Sequence, residues 1–344
     1  MFADAIERVS KYTRPIKFIM RNFGSSEIIP GTATLFFINE NGVAVTCKHV
    51  AEELLKCAQI NGMYAQYRSE ISSLSPETKP DESKSIVSKF GYTPLHTAQS
   101  KSMFFDCVEA DNNSINYSVI KHPKYDLAII IINNAKTNMY SDYAVFAKDS
   151  SKLRRGNYLC RYGYPFAEFS DYKYDSESDD IIWTGSDRVD TPPFPVEGMY
   201  TRGVVDAEGN MFEYELSTPG LRGQSGGPLF DSRGIVYGMQ SETTFLHLGF
   251  DQEKTKVRIN GQITEVDNHP FLHVGRCITV DVIKDFLNQN GVKYYIGDSL
   301  EQVECVNGGK ESDTSCSEHP QSPRNTPSGI VRFISWIKGH RCRK

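Results

Sequence analysis

The stretch Gly223-Gln224-Ser225-Gly226-Gly227-Pro228-Leu229-Phe230 places one serine among three glycines. A serine hydroxyl is a weak nucleophile unless a neighbouring base takes its proton, and the oxyanion that it generates must be met by fixed donors. Glycine at position 223 allows a backbone conformation closed to residues with a Cβ, which can turn the N–H groups of Gly223 and Ser225 toward one point. Gly226 and Gly227 would leave room for a substrate. The stretch predicts a nucleophile loop; the plainer interpretation is a glycine-rich hairpin with an incidental serine.

A candidate base and a candidate acid stand upstream of this loop. His49 ends a short apolar run, and Asp126 opens the apolar run 127–132. A buried aspartate needs a partner, and the Nδ1–H of His49 would supply one. Asp106 and Asp142 are competing acids, but neither heads such a strand. The order His, Asp, Ser is one of the chain orders in which a catalytic triad occurs.

These segments together resemble the trypsin-like (chymotrypsin-fold) serine peptidases over roughly residues 15–290. The family's Thr-Ala-x-His appears as Thr46-Cys47-Lys48-His49, its Asp-hydrophobic-Ala appears as Asp126-Leu127-Ala128, and its Gly-x-Ser-Gly-Gly-Pro is intact. The resemblance implies an all-β fold of two six-stranded antiparallel β-barrels, with a C-terminal helix and a disordered tail. The active site would lie in the cleft between the barrels.

The resemblance also implies a reaction, namely acyl transfer to Ser225 with His49 as the base and Asp126 as the group that orients it. The N–H groups of Gly223 and Ser225 would form the oxyanion hole. The substrate would be a protein or a peptide, and no cofactor or metal is implied. Two rival functions stay open. One is a catalytically silent peptidase-fold binding module that acts through its surface loops or C-terminal tail, and the other is an esterase or other acyl hydrolase.

A specificity pocket is implied between two stretches of the chain. Its predicted residues are Pro219, Gly220, Leu221, Arg222, Gly238, Met239, Gln240 and Ser241. Trypsin itself has an aspartate six residues before the serine, where this chain has Pro219. The main argument for cleavage after Lys or Arg is therefore lost, and a small or medium apolar side chain is expected before the scissile bond. Glu242 could reach the pocket, which keeps basic side chains open.

A second departure from the secreted members concerns activation. They carry an aspartate just before the serine to pair with a new N-terminus, whereas this chain has Gln224. Activation by N-terminal processing is therefore not expected. The pattern is more similar to bacterial HtrA-type and stand-alone trypsin-like peptidases, here without a PDZ domain.

Composition and charge describe an ordinary soluble protein. Of 344 residues, 39% are hydrophobic and 24% charged. A formal net charge of −5 gives no reason to expect nucleic acid as a partner. Neither a signal sequence nor a spanning run of apolar residues is recognised, and the eight cysteines show no framework of spacings. We therefore expect a cytoplasmic protein in which most cysteines are free thiols; the oligomeric state stays open.

The predicted organisation has six parts. They are an N-terminal helix or extension (1–14), a first β-barrel (15–135) with an insertion at about 61–101, an inter-barrel linker (136–155), a second β-barrel with a terminal helix (156–291), a flexible linker (292–328) and a basic amphipathic tail (329–344). Asp281 is expected to cap the terminal helix and Gly291 to end it.

Two segments outside the barrels carry open alternatives. The acidic run 170–180 is predicted to be a solvated loop, with steering of basic substrates or calcium binding as the alternatives. The tail 329–344 places apolar residues on one helical face among arginines and lysines. It could dock on a membrane surface or a partner, or it could fold back on the barrels or fray.

Overall fold

A computed structural model describes residues 1–75, 79–104, 115–133, 139–259, 262–268 and 271–309. Two large sheets dominate this part of the chain. The first is antiparallel, in the order β4-β1-β2-β3-β6-β5, and forms a curled half-barrel. Its strands are β1 (Thr13–Asn22), β2 (Ile28–Phe37), β3 (Val43–Thr46), β4 (Thr97–Phe104), β5 (Tyr117–Lys121) and β6 (Ala128–Ile132). The apolar run after Asp126 is indeed a buried strand of this sheet, β6.

The second sheet contains a closed ring of six strands. In chain order its strands are β7 (Val145–Ala147), β8 (Tyr158–Gly163), β11 (Phe194–Val205), β12 (Met211–Leu216), β13 (Pro228–Phe230), β14 (Ile235–His247), β17 (Phe271–Thr279), β18 (Tyr294–Ser299) and β19 (Gln302–Val306). The order β13-β8-β11-β12-β17-β14 closes on itself because β13 also pairs with β14. With the first sheet, this ring confirms the predicted trypsin-like double-barrel architecture.

The remaining strands form two separate hairpins. They are β9 (Tyr172–Asp175) with β10 (Asp180–Trp183), and β15 (Gln252–Ile259) with β16 (Gln262–Asn268). The first hairpin replaces the solvated loop predicted for 170–180. Asp179 accepts hydrogen bonds from Arg21 at 2.9 Å, from Tyr64 at 2.6 Å and from Tyr174 at 2.8 Å. This acid therefore joins β1, helix α2 (Lys48–Ser72) and the hairpin.

The C-terminal part of the described chain contains a strand pairing that the sequence did not predict. Strand β7 runs parallel to both β14 and β18, and β18 continues into β19. The flexible linker predicted for 292–328 is therefore wrong over 294–306. Tyr294 and Tyr295 are buried, and Tyr295 stacks on Tyr143 with ring centroids 4.5 Å apart. The rest of that segment from residue 310, and the tail 329–344, lie outside the described residues.

The insertion predicted at about 61–101 is largely helical. Helix α2 extends into the insertion as far as Ser72, and α3 (Lys79–Phe90) follows it. Pro80 stands in the first turn of α3, where its missing N–H removes no helical hydrogen bond. Tyr64, Tyr67 and Tyr92 form an aromatic cluster with Phe23, whose ring stacks on that of Tyr92 at 4.7 Å.

The two remaining helices lie near the ends of the described chain. Helix α1 (Ala3–Ser10) precedes β1, and α4 (Val280–Gln289) follows β17. Thr279, and not Asp281 as predicted, is the N-cap of α4, because its hydroxyl accepts from the amide of Val282. Gly291 follows the helix with a φ of +66°, as predicted for its end. Among the helices of the described residues, none is both long and apolar enough to cross a membrane.

Most of the described cysteines are free thiols, as expected from the sequence. Cys47, Cys57, Cys160 and Cys277 are free and buried. Cys305 is disulfide-bonded.

Candidate active site

The nucleophile loop is held by the first sheet through Thr34 on β2. The amide of Thr34 donates to the carbonyl of Ser225 at 3.0 Å, and its hydroxyl donates to the carbonyl of Gly223 at 2.8 Å. The same hydroxyl accepts from the amide of Tyr164 at 3.1 Å. Thr46 on β3 donates to the carbonyl of Thr34 at 2.7 Å. The loop that carries Ser225 is therefore held by β2 of the first sheet, and Thr34 also contacts Tyr164, which follows β8.

Gly223 has the kind of backbone conformation that the sequence predicts, whereas Gly226 and Gly227 serve a different purpose from the one predicted. Gly223 and Gly226 have φ values of +95° and +88°, a region that favours glycine. A Cβ on Gly226 would collide with the carbonyl oxygen of Thr34, and one on Gly227 with that of Tyr162. Gly226 and Gly227 therefore make room for the protein's own backbone, and not for a substrate.

His49 and Asp126 form the pair that the sequence predicts. His49 lies in the first turn of α2, and Asp126 lies two residues before β6. The Nδ1 of His49 is 2.8 Å from Oδ2 of Asp126, and the backbone amide of His49 donates to Oδ1 at 3.0 Å. The His49 side chain is 51% exposed. Because Nδ1 is engaged, Nε2 is the nitrogen left to take a proton.

Electrostatics favour a charged pair. The hydrogen bond to Asp126 is the main cause that raises the pKa of His49 above 6.5, although burial opposes it. Burial also opposes ionisation of Asp126, but the hydrogen bonds from His49 outweigh it and lower the pKa of that carboxyl. The pair is therefore built to stabilise a protonated His49.

Of the two acids that competed with Asp126 as the partner of His49, Asp142 is engaged with another residue. It accepts a hydrogen bond from Arg8 at 3.4 Å. Asp106 lies outside the described residues.

The loop of Ser225 is connected to the segment that precedes His49 through the backbone of Gln240. The carbonyl of Gln240 accepts from the thiol of Cys47 at 3.2 Å and from the amide of Gly226 at 2.9 Å. This one group therefore links the segment that leads into His49 with the loop of Ser225. The Ser225 hydroxyl donates to the carbonyl of Ser241 at 3.3 Å, and within the described chain it makes no hydrogen bond to His49.

Two backbone amides of the loop are left without an acceptor. The amides of Gln224, Gly226 and Gly227 donate to Leu221, Gln240 and Gln224 respectively. Over the described residues, no group accepts from the amide of Gly223 or of Ser225. These are the two donors predicted for an oxyanion hole.

The predicted pocket segments lie against each other. The hydroxyl of Thr243 donates to the carbonyl of Gly220 at 2.8 Å, and a Cβ on Gly220 would lie 2.6 Å from Cδ of Gln240. Met239, between Gly238 and Gln240, packs in the hydrophobic core. The backbone amide of Leu221 donates to the side chain of Gln224 at 3.0 Å. Pro219 is half-buried and Arg222 is exposed.

Sequence reasoning missed two side chains next to this site. Glu213 on β12 accepts from the hydroxyl of Ser241 at 3.2 Å, and burial, followed by the charge of Glu242, raises its pKa to about 7. Arg161 on β8 is fully buried and donates to the side chain of Gln240 at 3.0 Å. The available signal is a charged residue among apolar and aromatic neighbours, which holds for Arg161 on β8 but less clearly for Glu213, because β12 also contains Glu215.

A third missed residue, Cys47, lies beside the His–Asp pair. Ligand atoms of Cys47, His49 and Asp126 lie within 4.8 Å of one another. Burial raises the pKa of the thiol well above its usual value, whereas a metal ligand must be a thiolate. Since Asp126 is already engaged with His49, this group does not fit a metal site.

A match to a protein-family model agrees with the fold and with the arrangement of His49, Asp126 and the loop of Ser225. None of the curated proteins compared with the chain matches it. The family model described as the trypsin-like peptidase domain matches residues 31–239, a span that contains His49, Asp126 and Ser225 and more than half of the 344 residues. The match concerns the domain as a whole, so the narrower similarity to HtrA-type peptidases stays a prediction. The chain belongs to the trypsin-like peptidase domain family.

Proposed function

We propose that the protein is a serine endopeptidase in which Ser225, His49 and Asp126 act as a catalytic triad. The observation that carries this proposal is the double contact between Asp126 and His49, with Nδ1 and Oδ2 2.8 Å apart, beside the loop of Ser225. Membership of a peptidase family supports hydrolysis of peptide bonds as the reaction.

The reaction would begin with a change of partner at Ser225. Its hydroxyl turns from the carbonyl of Ser241 toward Nε2 of His49, which takes the proton as Oγ attacks the scissile carbonyl. The protonated His49, stabilised by Asp126, then gives that proton to the leaving amine. A water molecule, deprotonated by His49, attacks the acyl-enzyme, and the acid product leaves with Ser225 restored.

The oxyanion of each tetrahedral intermediate needs donors that are already in place. The amides of Gly223 and Ser225 suit this role, since nothing in the described chain competes for them. Each such donor contributes on the order of 3 kcal/mol to transition-state stabilisation. The φ of +95° at Gly223 makes this orientation available only to glycine at low cost.

Labelling with a fluorophosphonate probe tests the proposal, because such probes react with activated serines. We expect the wild type and a Ser232→Ala control, altered at an exposed turn serine, to be labelled equally. Ser225→Ala should not be labelled. An unlabelled wild type, or labelling that persists in Ser225→Ala, would overturn the proposed function.

A further inference from the structure

Arg161 is a buried cation without a carboxylate partner. Its side chain is 0% exposed, and its guanidinium donates to Oε1 of Gln240 at 3.0 Å and to the hydroxyl of Thr218 at 2.6 Å. Both acceptors are neutral. Its Nε has no hydrogen-bond partner, and no ion pair joins Arg161 to any acid in the part of the chain that the structure describes. The charge of this residue is therefore uncompensated by the fold.

Two other arginines with little exposure, Arg276 and Arg21, are paired with acids, whereas the half-buried Arg14 donates to backbone carbonyls. Arg276 on β17 lies 3.6 Å from Glu213 and 3.2 Å from Glu215, and Arg21 lies 2.9 Å from Asp179. Removing a charge from water costs several kcal/mol unless an opposite charge and hydrogen bonds compensate it. Burial accordingly lowers the pKa of Arg161. An unpaired arginine in this position points to an anion supplied from outside the chain.

Arg161 is connected to the proposed catalytic serine through hydrogen-bonded neighbours. Gln240, which covers the guanidinium, immediately precedes Ser241, whose carbonyl accepts the hydroxyl of Ser225. Thr218 immediately precedes the segment 219–222. The guanidinium is therefore linked to the Ser225 hydroxyl through the Gln240 side chain and the carbonyl of the adjacent Ser241.

Two glycines make room for the side chains of Arg161 and Gln240. A Cβ on Gly275 would collide with Nη1 of Arg161, and a Cβ on Gly220 would lie 2.6 Å from Cδ of Gln240. The Gln240 side chain, which accepts from Arg161, also donates from its Nε2 to the carbonyl of Glu242 at 2.8 Å. An amide oxygen thus occupies the place where a carboxylate would bind the guanidinium more strongly.

We infer that Arg161 is a specificity-determining residue, which binds the carboxylate of an acidic substrate side chain next to the scissile bond. This inference rests on the proposed peptidase function. When the substrate binds, the Gln240 side chain swings away, and the substrate carboxylate takes the position of Oε1 against Arg161. The small or medium apolar side chain expected from the sequence is replaced by an acidic one of similar length to glutamine.

Two nearby acids favour the opposite preference and define the main alternative. Glu242 is exposed beside the pocket segment, and Glu213 lies behind Ser241. Glu213 is, however, already paired with Arg276, while Arg161 has no such partner. A preference for lysine or arginine in the substrate would mean that Glu242 and not Arg161 governs the pocket.

The test compares peptides that differ only in the residue before the scissile bond, using the full chain. A matched series has Glu, Gln, Val or Lys at that position. Because Glu and Gln have nearly the same shape, their ratio isolates the charge. We expect kcat/KM for Glu to exceed that for Gln by about tenfold or more, as hydrogen bonds to charged groups predict. Equal values, or preference for Lys or Val, would overturn the inference.

Substitutions locate the effect. Arg161→Met should abolish the preference for Glu over Gln while fluorophosphonate labelling persists, and Arg161→Lys should retain part of it. Arg202→Met, which alters a half-exposed arginine paired with Glu215, is the control and should leave the ratio unchanged. If Arg161→Met does not fold, the wild-type ratio still decides the question.

Binding to Ser225→Ala separates failure of this inference from failure of the proposed function. Calorimetry with the Glu and Gln peptides needs no turnover. About tenfold tighter binding of the Glu peptide supports the acidic pocket, even if the wild type is not labelled by the fluorophosphonate. Equal or undetectable binding of both peptides overturns the inference, even if the wild type is labelled.

Discussion

Asp126 holds His49 at two points, with Oδ2 2.8 Å from Nδ1 of the ring and Oδ1 accepting from the backbone amide at 3.0 Å. The second contact fixes the start of α2 relative to the loop before β6. Ring orientation and helix position are therefore set by the same carboxylate. Loss of that carboxylate should change both the rate and the pH dependence of the proposed reaction.

The first prediction concerns Asp126→Asn. His49 acts as a base only when neutral, so activity falls as pH drops through its pKa, which the contact with Asp126 raises above 6.5. Without the negative charge that pKa falls, and the acid limb of kcat/KM should move to lower pH. At pH about 8 the rate should drop by about 10⁴-fold.

The control for this experiment is Asp142→Asn, which alters the competing acid bound to Arg8. It should leave the rate and the acid limb unchanged. A wild-type rate that stays flat to about pH 4, or an unshifted limb in Asp126→Asn, would argue against His49 as the base.

The second prediction concerns the close approach at Gly226. Gly226→Ala and Gly209→Ala both place a Cβ on a backbone with positive φ, +88° and +86° respectively. Nothing lies within 4 Å of the new Cβ at position 209, whereas at position 226 it would meet the carbonyl of Thr34. We expect Gly209→Ala to cost about 1 kcal/mol of unfolding free energy, and Gly226→Ala to cost about 3 kcal/mol or more.

Urea unfolding of both variants checks this difference, and fluorophosphonate labelling should be lost only in Gly226→Ala. Equal stability losses would mean that β2 and the nucleophile loop can separate without cost.

The third prediction concerns the hydroxyl of Thr34. It donates to Gly223 and accepts from Tyr164, so it joins β2 to the second barrel. Thr34→Val keeps the shape but leaves two buried backbone groups unpaired, which should cost about 2–4 kcal/mol. It should also slow labelling of Ser225, since Gly223 loses a support.

Thr34→Ser is the matched variant because it keeps the hydroxyl. We expect it to retain most of the labelling rate, and thermal unfolding together with labelling kinetics measures both effects. Equal labelling rates in the Val and Ser variants would show that the hydroxyl does not position the loop.

The fourth prediction concerns Glu213, whose pKa rises from 4.5 to about 7 in the folded protein. A raised carboxyl pKa means that the folded state favours the protonated form. The associated stability is present below pH 4.5 and is lost as the pH rises through about 7. Glu213→Gln cannot ionise, so it should gain stability relative to the wild type at pH 8, by up to about 3 kcal/mol.

Chemical denaturation at pH 5 and at pH 8 checks this prediction. The difference between variant and wild type should be larger at pH 8. A difference that does not change with pH would show that Glu213 titrates alike in both states.

The sequence was most informative where local chemistry is demanding. The loop at 223–228, the apolar run after Asp126 and the double-barrel architecture follow from residue types and order. The helical insertion does not follow, because prolines such as Pro76 and Pro80 are typical of irregular structure, although a helix tolerates proline in its first turn. The role of Tyr294 and Tyr295 depends on a strand far away in the chain, β7, which no local pattern reveals.

The neighbours of a side chain in the folded protein could not be predicted from the local sequence either. Arg161 stands between Cys160 and Tyr162 in a strand of mixed character, and nothing in that order shows that its neighbours lack a carboxylate. Similarly, Gly226 and Gly227 suggest open space, whereas the space is filled by the carbonyls of Thr34 and Tyr162.

The parallel strand β7 has a consequence for the timing of folding during synthesis. Its partners β14 and β18 leave the ribosome about 90 to 150 residues later than β7 itself. Such distant pairings pay a large loop-closure entropy before they contribute stability, so they form late. All strands of the first sheet, together with His49 and Asp126, are therefore translated while β7 still lacks both of its partners. We expect the proposed activity to arise only near the end of synthesis, after Ser225 and both partners of β7 have been translated.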